Sequence, residues 1–472
     1  MTDWKELANQ KAEAMMTDLS QLIAIPSVRD DSQATEDAPL GPGPKDALLK
    51  VMDIFKRDGF KHENLKNIVG YAEYGTEESD DNYVALLGHV DVMPAGDGWE
   101  TDPFTPVIKD GRLYARGSSD DKGPTMAAYY GLKIVQELGL PLKHKVRFIV
   151  GTDEENDWTG MDYYFQNQPQ PLLGFSPDAD YPIINGEKGL GQYVLNFTPT
   201  NSGNIVLEEF TSGLRTNMVP GTAKAVLSGS NLSQIADAFA NYLSTDEKIS
   251  GDSQLAEDKL TLNLVGKQAH GAFPEHGDNA ATYLANFLSD LDFGGDAKFF
   301  LELVGKTAHK DPEGVKMGIA SEDPVMGKLS FNIGILRFVN NQEGLINVNI
   351  RYPKSTNGEI ILGQLNDAIP AGWDVEFEVL GHNQEPHYVD PSDSVVTTLL
   401  DIYHTQTGLP AHDQVIGGGT YGRLMERGVA FGALFPDAED TMHQANEYMR
   451  IDDLIRSMAI YAESIYKLAN LD

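Results

Sequence analysis

Hydrophobic spacing changes character twice along the chain and divides it into three stretches. From Trp4 to about Ile25 apolar residues recur at helical intervals, with Asp3 and Glu6 at the start and Pro26 as the stop. A second helix is predicted over about 44–58, with Leu48, Val51, Met52 and Phe55 as its buried stripe. Two short apolar runs follow, Tyr83–Leu87 and Lys145–Val150, and read as strands of a sheet covered on both faces. Between them Pro124 stands in the first turn of a helix that runs to about Leu138, where Gly139 and Pro141 end it.

Around 186–190 this texture gives way to alternating strands. Gln192–Pro199, Thr222–Gly229 and Leu260–Gly266 are predicted strands, with helices near 231–244 and 278–292. A second set follows, with strands at about 328–339, 344–352 and 374–380 and a helix at about 357–369. After Gly381 the first texture returns: a helix at about 394–407, a glycine loop Gly417–Gly422, a strand Val429–Phe435, and a last helix from about Asp452 with Leu454, Met458, Tyr461, Ile465 and Leu468 buried. The expected fold is α/β, a doubly wound domain formed by 1–186 and 382–472, interrupted at 187–381 by an α+β insertion made of two similar units.

Composition bounds the function. A chain of 472 residues exceeds one hydrophobic core. Its formal net charge of −35 argues against nucleic acid and anionic membrane as partners, since both require basic surface. With no cysteine there is no thiolate ligand or cysteine nucleophile. The first residues lack the basic and apolar regions of a signal peptide, and no apolar run is long enough to span a bilayer, so a cytoplasmic protein is expected.

The polar residues that punctuate the strands are chemically selective. Glu154 and Glu155 follow the strand Lys145–Val150, and neighbours on extended backbone point to opposite sides, so the two serve different purposes. His89 and Asp91 follow Tyr83–Leu87 two residues apart, a spacing that lets a carboxylate orient an imidazole. Asp120 and Asp121 precede the Pro124 helix, where either is also suited to a plain N-cap. Asp178 follows a further apolar run, and His443 lies between the last strand and the last helix. In open α/β sheets the rim past the strand ends is where ligands bind. Taken singly, each of these is also explained as a solvated loop residue. Together His89, Asp120, Glu155, Asp178 and His443 offer two imidazoles and three carboxylates, a set suited to a pair of borderline or hard divalent ions. Glu154, beside a ligand, is placed to take a proton from water and pass it to a leaving amine.

The order His89–Asp91, Ala115–Pro124, Asp153–Asn156, Ser176–Asp180 and Thr441–Glu447 closely resembles the M20 family of co-catalytic metallopeptidases and amidohydrolases, over essentially the whole chain. The inserted block resembles the family's lid domain and is about twice the size of one small α+β unit. That, with Ser176–Gly189 and Val415–Leu424, resembles a branch of bacterial, carnosinase-like dipeptidases with broad specificity, and implies a monomer. The resemblance implies two zinc ions per chain, for which cobalt or manganese can substitute. It implies that Asp120 bridges them and Asp121 does not, that His89 and Asp178 hold one and Glu155 and His443 the other, that Glu154 is the general base and later acid, and that Asp91 orients His89. From the lid it implies Asn217 on the substrate backbone, His270 on the tetrahedral oxyanion, Arg351 on the substrate carboxylate, and backbone contacts from Gly417 and Gly418. His62, His144, His276, His309, His382, His387, His404 and His412 fit no ligand position and are read as ordinary. The implied substrate is a small peptide with a free N-terminus, β-alanyl dipeptides included. Ala115, where the family more often has glycine, is the one departure. An N-acyl amino acid deacylase or carboxypeptidase would use the same metal chemistry. A metal-dependent peptide-binding module would need no base at Glu154.

Overall fold

The structure, a computed structural model, describes residues 2–381 and 383–471; His382 lies outside them. The chain divides into two compact units, Met1–Gly186 with Tyr388–Gln414 and Gly419–Asp472, and Glu187–His387 with Val415–Gly418.

The first unit is built on a six-stranded sheet. Its members are β1 (Lys61–Leu65), β2 (Val69–Tyr74), β3 (Asp80–His89), β4 (His144–Gly151), β5 (Leu173–Ser176) and the short strand Gly428–Ala430. In space they run β1, β2, β4, β3, β5, then Gly428–Ala430. The last four are mutually parallel, and β1 and β2 add an antiparallel hairpin at one edge. Val84, Leu86, Phe148 and Val150 face the larger core. That core is filled from α1 (Trp4–Ile23), α2 (Pro42–Arg57), α3 (Lys122–Leu138) and the helices Ser394–Thr407 and Ile451–Leu468. Tyr83, Ala85, Leu87 and Ile149 face a smaller core with Met161 and Tyr164 of α4 (Thr159–Asn167) and with Tyr421 and Met425. Burial on both faces is why β3 and β4 read as nearly unbroken apolar runs.

In this unit the sequence reading missed one hairpin and misjudged one strand. The β1–β2 hairpin was not predicted, because β1 is an edge strand of Lys-His-Glu-Asn-Leu with no apolar alternation. The predicted strand Val429–Phe435 is split into Gly428–Ala430 and Ala433–Leu434. Gly432 between them has φ +74°, in the left-handed region that favours glycine. A Cβ there would meet the Tyr181 ring at 2.2 Å.

The second unit is built on one antiparallel sheet. Its strands are β6 (Gly189–Phe197), β7 (Ile205–Ser212), β8 (Thr222–Gly229), β9 (Ser250–Ala256), β10 (Lys259–Val265), β11 (Ser330–Val339), β12 (Glu343–Tyr352) and β13 (Phe377–Val379). They lie in the order β9, β10, β8, β7, β11, β12, β6, β13. The helices α5 (Leu232–Leu243), α6 (Ala280–Ser289) and α7 (Gly358–Asp367) contribute Phe239, Leu284 and Leu365 to its core, against Ala225, Leu262 and Val348. β7 and β11 pair Phe210 with Phe338, so the sheet continues without a break. Among the described residues no helix is long and apolar enough to cross a membrane.

Candidate metal centre

Three parallel strands end side by side. His89 is the last residue of β3 and pairs in register with Gly151, the last of β4, while Leu86 pairs with Phe175 near the end of β5. The chain beyond these ends supplies His89, Glu154–Glu155 and Asp178. Asp120 precedes α3, and His443 comes from the loop before Tyr448–Arg450, with φ +61°. Gly88 lets α3 approach closely, since a Cβ there would lie 2.1 Å from the Thr125 hydroxyl.

The side chains converge as two groups, His89 with Glu154 and Asp178, and Asp120 with Glu155 and His443; within each group the ligand atoms lie within 4.8 Å of one another. Asp120 belongs to both by contact. Its Oδ1 is 3.1 Å from His89 Nε2 and its Oδ2 is 2.7 Å from His443 Nε2. Asp178 Oδ2 is 3.7 Å from His89 Nε2, and Glu155 Oε2 is 3.1 Å from His443 Nε2. Glu154, expected outside the ligand set, has its carboxylate in the His89–Asp178 group.

Asp91 does more than face His89. The Nδ1 of His89 lies 3.3 Å from Asp91 Oδ1 and 3.1 Å from the Asp91 carbonyl oxygen. The same carboxylate accepts the backbone N–H groups of Glu154 and Glu155, each at 3.1 Å. It therefore fixes an imidazole and the glutamate pair together. Asp121 occupies the N-cap position of α3 but its side chain makes no capping bond. It accepts instead from the His89 backbone N–H at 3.2 Å and from the Thr125 hydroxyl at 2.6 Å.

Charge in this cluster is unbalanced. Burial, the neighbouring Asp178 charge, and those of Glu155 and Asp120 push the Glu154 carboxyl well above its usual range. Burial and Asp120 push Glu155 up to about 7 and raise Asp178 as well. For Asp120 burial works the same way, but the imidazoles of His443 and His89 beside it outweigh it and hold the carboxyl low. Hydrogen bonds to Asp120 and Glu155 push His443 up to about 11. Buried carboxylates outnumber the cations that face them, and divalent ions correct that deficit. The Nε2 atom of His89 is buried without an aligned hydrogen bond. An imidazole nitrogen so placed among carboxylate oxygens is what a metal ligand requires, so the residues present fit the ions expected of them.

Residues 85–467 match the sequence profile of peptidase family M20/M25/M40. The chain belongs to that family. It is 43% identical over 470 residues to the Beta-Ala-Xaa dipeptidase of Lactobacillus delbrueckii subsp. lactis, covering 99% of this chain and 98% of that one. It is 41% identical over 473 residues to a putative dipeptidase of Bacillus subtilis, covering 99% and 100%. Human carnosine dipeptidase 1 shares the fold, with a TM-score of 0.58, 15% identity and coverage of 99% and 98%. A dipeptidase from Saccharomyces cerevisiae does likewise, with a TM-score of 0.59, 16% identity and the same coverage. The chain is a peptide-bond hydrolase of this metal-dependent family.

In the peptidase all five ligand candidates, Asp91 and Glu154 belong to the first unit, whereas Asn217, His270, Arg351, Gly417 and Gly418 belong to the second. Within the second unit several of these meet. The two-residue strand Ala269–His270 pairs with Met218–Val219, and the Gly271 N–H donates to the Asn217 carbonyl at 2.7 Å. His270 Nδ1 accepts from the Ala272 N–H at 3.2 Å, which leaves the proton of the neutral ring on Nε2. A Cβ on Gly417 would lie 3.4 Å from that of Ala272, so the glycine loop runs beside the same turn. Asn332 of β11 donates to the Thr216 and Met218 carbonyls on either side of Asn217, at 3.3 and 2.9 Å. Arg351 lies near the end of β12, in register with Ser330 and Leu190.

Other residues around the metal centre carried no assigned role. Tyr421 sets its ring at 6.2 Å from that of His89, and Lys122 is buried with its ammonium on the Leu22 and Ile25 carbonyls. Arg116 and Glu447 are both buried and paired at 2.6 Å. All stand inside the motifs read from the sequence, but a place in a motif carries no information about a tertiary partner.

Proposed function

We propose that this protein is a di-zinc dipeptidase that hydrolyses dipeptides with a free N-terminus, with broad specificity that includes β-alanyl dipeptides. The observation that carries the reading is Asp120, with one oxygen 3.1 Å from His89 Nε2 and the other 2.7 Å from His443 Nε2. A single carboxylate so placed can be shared by two ions. His89 and Asp178 would hold one, Glu155 and His443 the other, and zinc suits the donor set while cobalt and manganese are accepted by it. Ions held there supply Lewis-acid polarisation to water and to the scissile carbonyl.

The chain's own residues account for the rest. Glu154, its backbone held by Asp91, takes the proton released in the attack and delivers it to the departing amine. The second unit acts as a lid of two α+β halves. His270 donates from Nε2 to the developing oxyanion, Asn217 holds the substrate backbone, Arg351 takes the terminal carboxylate by paired hydrogen bonds, and the Gly417–Gly418 backbone lines the same end. The enzyme works as a cytoplasmic monomer. Its likeness to a relative named for β-alanyl dipeptides supports the substrate class.

The test is hydrolysis of carnosine and Leu-Gly by metal-loaded protein, each substrate with its amino end free and acetylated, beside a chelated control. Cleavage of the free dipeptides alone, stopped by the chelator, is the expected result. Cleavage of the acetylated forms would replace the dipeptidase by an acylase or carboxypeptidase on the same metal site. Metal binding without cleavage of any substrate would leave only a binding module.

A further inference from the structure

The two segments that meet at Asp120 and His443 are tied by a residue behind them. Glu447 is fully buried four residues after His443. Its Oε1 accepts the backbone N–H groups of Ser119 at 2.9 Å and Asp120 at 3.2 Å. Its Oε2 accepts from Arg116 Nη1 at 2.6 Å. The Glu447 carbonyl receives the Ala115 N–H at 3.1 Å, and Tyr448 pairs with Tyr114 in the adjoining ladder. Arg116 carries the link to a third segment. Its Nη2 donates to the Pro94 and Ala95 carbonyls, each at 3.3 Å, and its guanidinium lies 5.4 Å over the Trp99 ring. From the other side Asn446 accepts the Glu100 N–H at 2.8 Å.

We propose that Glu447 is a positioning residue, anchored by Arg116, that sets the separation of Asp120 and His443 and so determines how tightly the Asp120–Glu155–His443 group holds its ion. The inference rests on the two-metal reading above. The carboxylate is in the loop that carries one ligand, and its acceptor oxygen grips the backbone N–H of the other. Supporting hydrogen bonds of this kind orient the residues that bind a metal, and losing one commonly weakens the metal 10–100-fold.

Two variants test this. Glu447→Gln replaces the oxygen facing Arg116 by an amide, and the pair Glu447→Leu with Arg116→Met removes the acceptors and both charges, so that no unmatched buried ion is left to unfold the chain. Metal-free protein is titrated with Co2+ and followed by its visible absorption. Amide exchange of the segment 118–121 is measured in the same metal-free samples by mass spectrometry. Wild type is expected to bind two ions. Both variants should bind the second at least about tenfold more weakly, with faster exchange confined to 118–121 and its hydrogen-bonded neighbours. Wild-type affinity for the second ion in either folded variant overturns the proposal. Failure of the double variant to fold overturns it too, because the pair would then be a requirement of the fold. Binding of fewer than two ions by wild type would instead sink the two-metal reading.

Discussion

Glu154 and Glu155 share a backbone anchor, since Asp91 accepts both their N–H groups. Their side chains nevertheless belong to different groups of the metal centre. If Glu154 transfers the proton, Glu154→Gln removes the base and keeps the shape. Turnover of a free dipeptide should fall by about 10²–10⁴-fold, the usual range for a positioned general base. Metal content, measured by elemental analysis, should stay unchanged. An unaltered kcat would refute the assignment. His309 gives a second residue-scale expectation, remote from the chemistry. It is buried, packs edge-on against Tyr283, and is pushed down to about 4 by burial and by Lys310 and Lys316. A histidine lowered on folding binds fewer protons in the folded state than in the unfolded one. Its share of stability is whole above its ordinary value near 6.5 and is lost as pH falls toward 4. Melting temperature should therefore drop less between pH 7 and pH 4.5 in His309→Gln than in wild type. At this scale backbone geometry separated Glu154 from Glu155 into unlike roles, whereas Asp120 and Asp121 were told apart only by the family resemblance. The sequence could not reveal that Asp121 reaches the His89 backbone, or that Glu447 reaches Asp120, because those partners are 32 and 327 residues away.

At the scale of elements, the first unit is joined by an ionic network that links three helices. Asp18 of α1 takes a bidentate contact from Arg57 of α2, 2.8 Å at each oxygen, and a 2.6 Å bond from the Tyr130 hydroxyl of α3. Asp58 continues it to Lys133 and to the Tyr129 hydroxyl, at 2.8 and 2.7 Å. Because the Arg57 side chain is 48% exposed, solvent screens its charge, and the larger cost of losing Asp18 is the unmet buried hydroxyl of Tyr130. Asp18→Ala is expected to cost roughly 1–3 kcal/mol, read as a lower melting temperature, with kcat on a free dipeptide unchanged. Helices such as these were legible because each carries an apolar stripe and a clear stop. Strands were legible only where burial imposes a pattern. β9 is exposed along its whole length and β7 shifts register between Leu207 and Glu209, so neither shows the alternation that identifies a half-buried strand.

For the molecule as a whole, stability and activity should part company when ions are removed. All residues of both ligand groups lie in the first unit, which has its own cores, and the second unit has another. An ion that binds only the folded state stabilises it by mass action, by about 2.7 kcal/mol at a free concentration one hundred times its Kd. Chelation should withdraw that contribution and abolish hydrolysis together. The withdrawn stabilisation enters through the segments that supply ligands: His89–Asp91, 118–121, 152–155, 176–178 and 441–447. Amide exchange in a chelated sample should speed up there first, while the central strands β8, β10 and β12 keep their protection. Re-adding zinc should restore both exchange and activity with the same two-ion stoichiometry. Exchange that accelerated equally in β8, β10 and β12 would mean that the ions support the whole chain. Exchange that did not change anywhere, with activity lost, would mean that the ions serve the chemistry without contributing to the fold. A net charge of −35 sharpens the experiment. General screening by salt acts over the whole acidic surface, so a response that returns with micromolar zinc but not with added sodium chloride isolates the two ligand groups from the remainder of the charge.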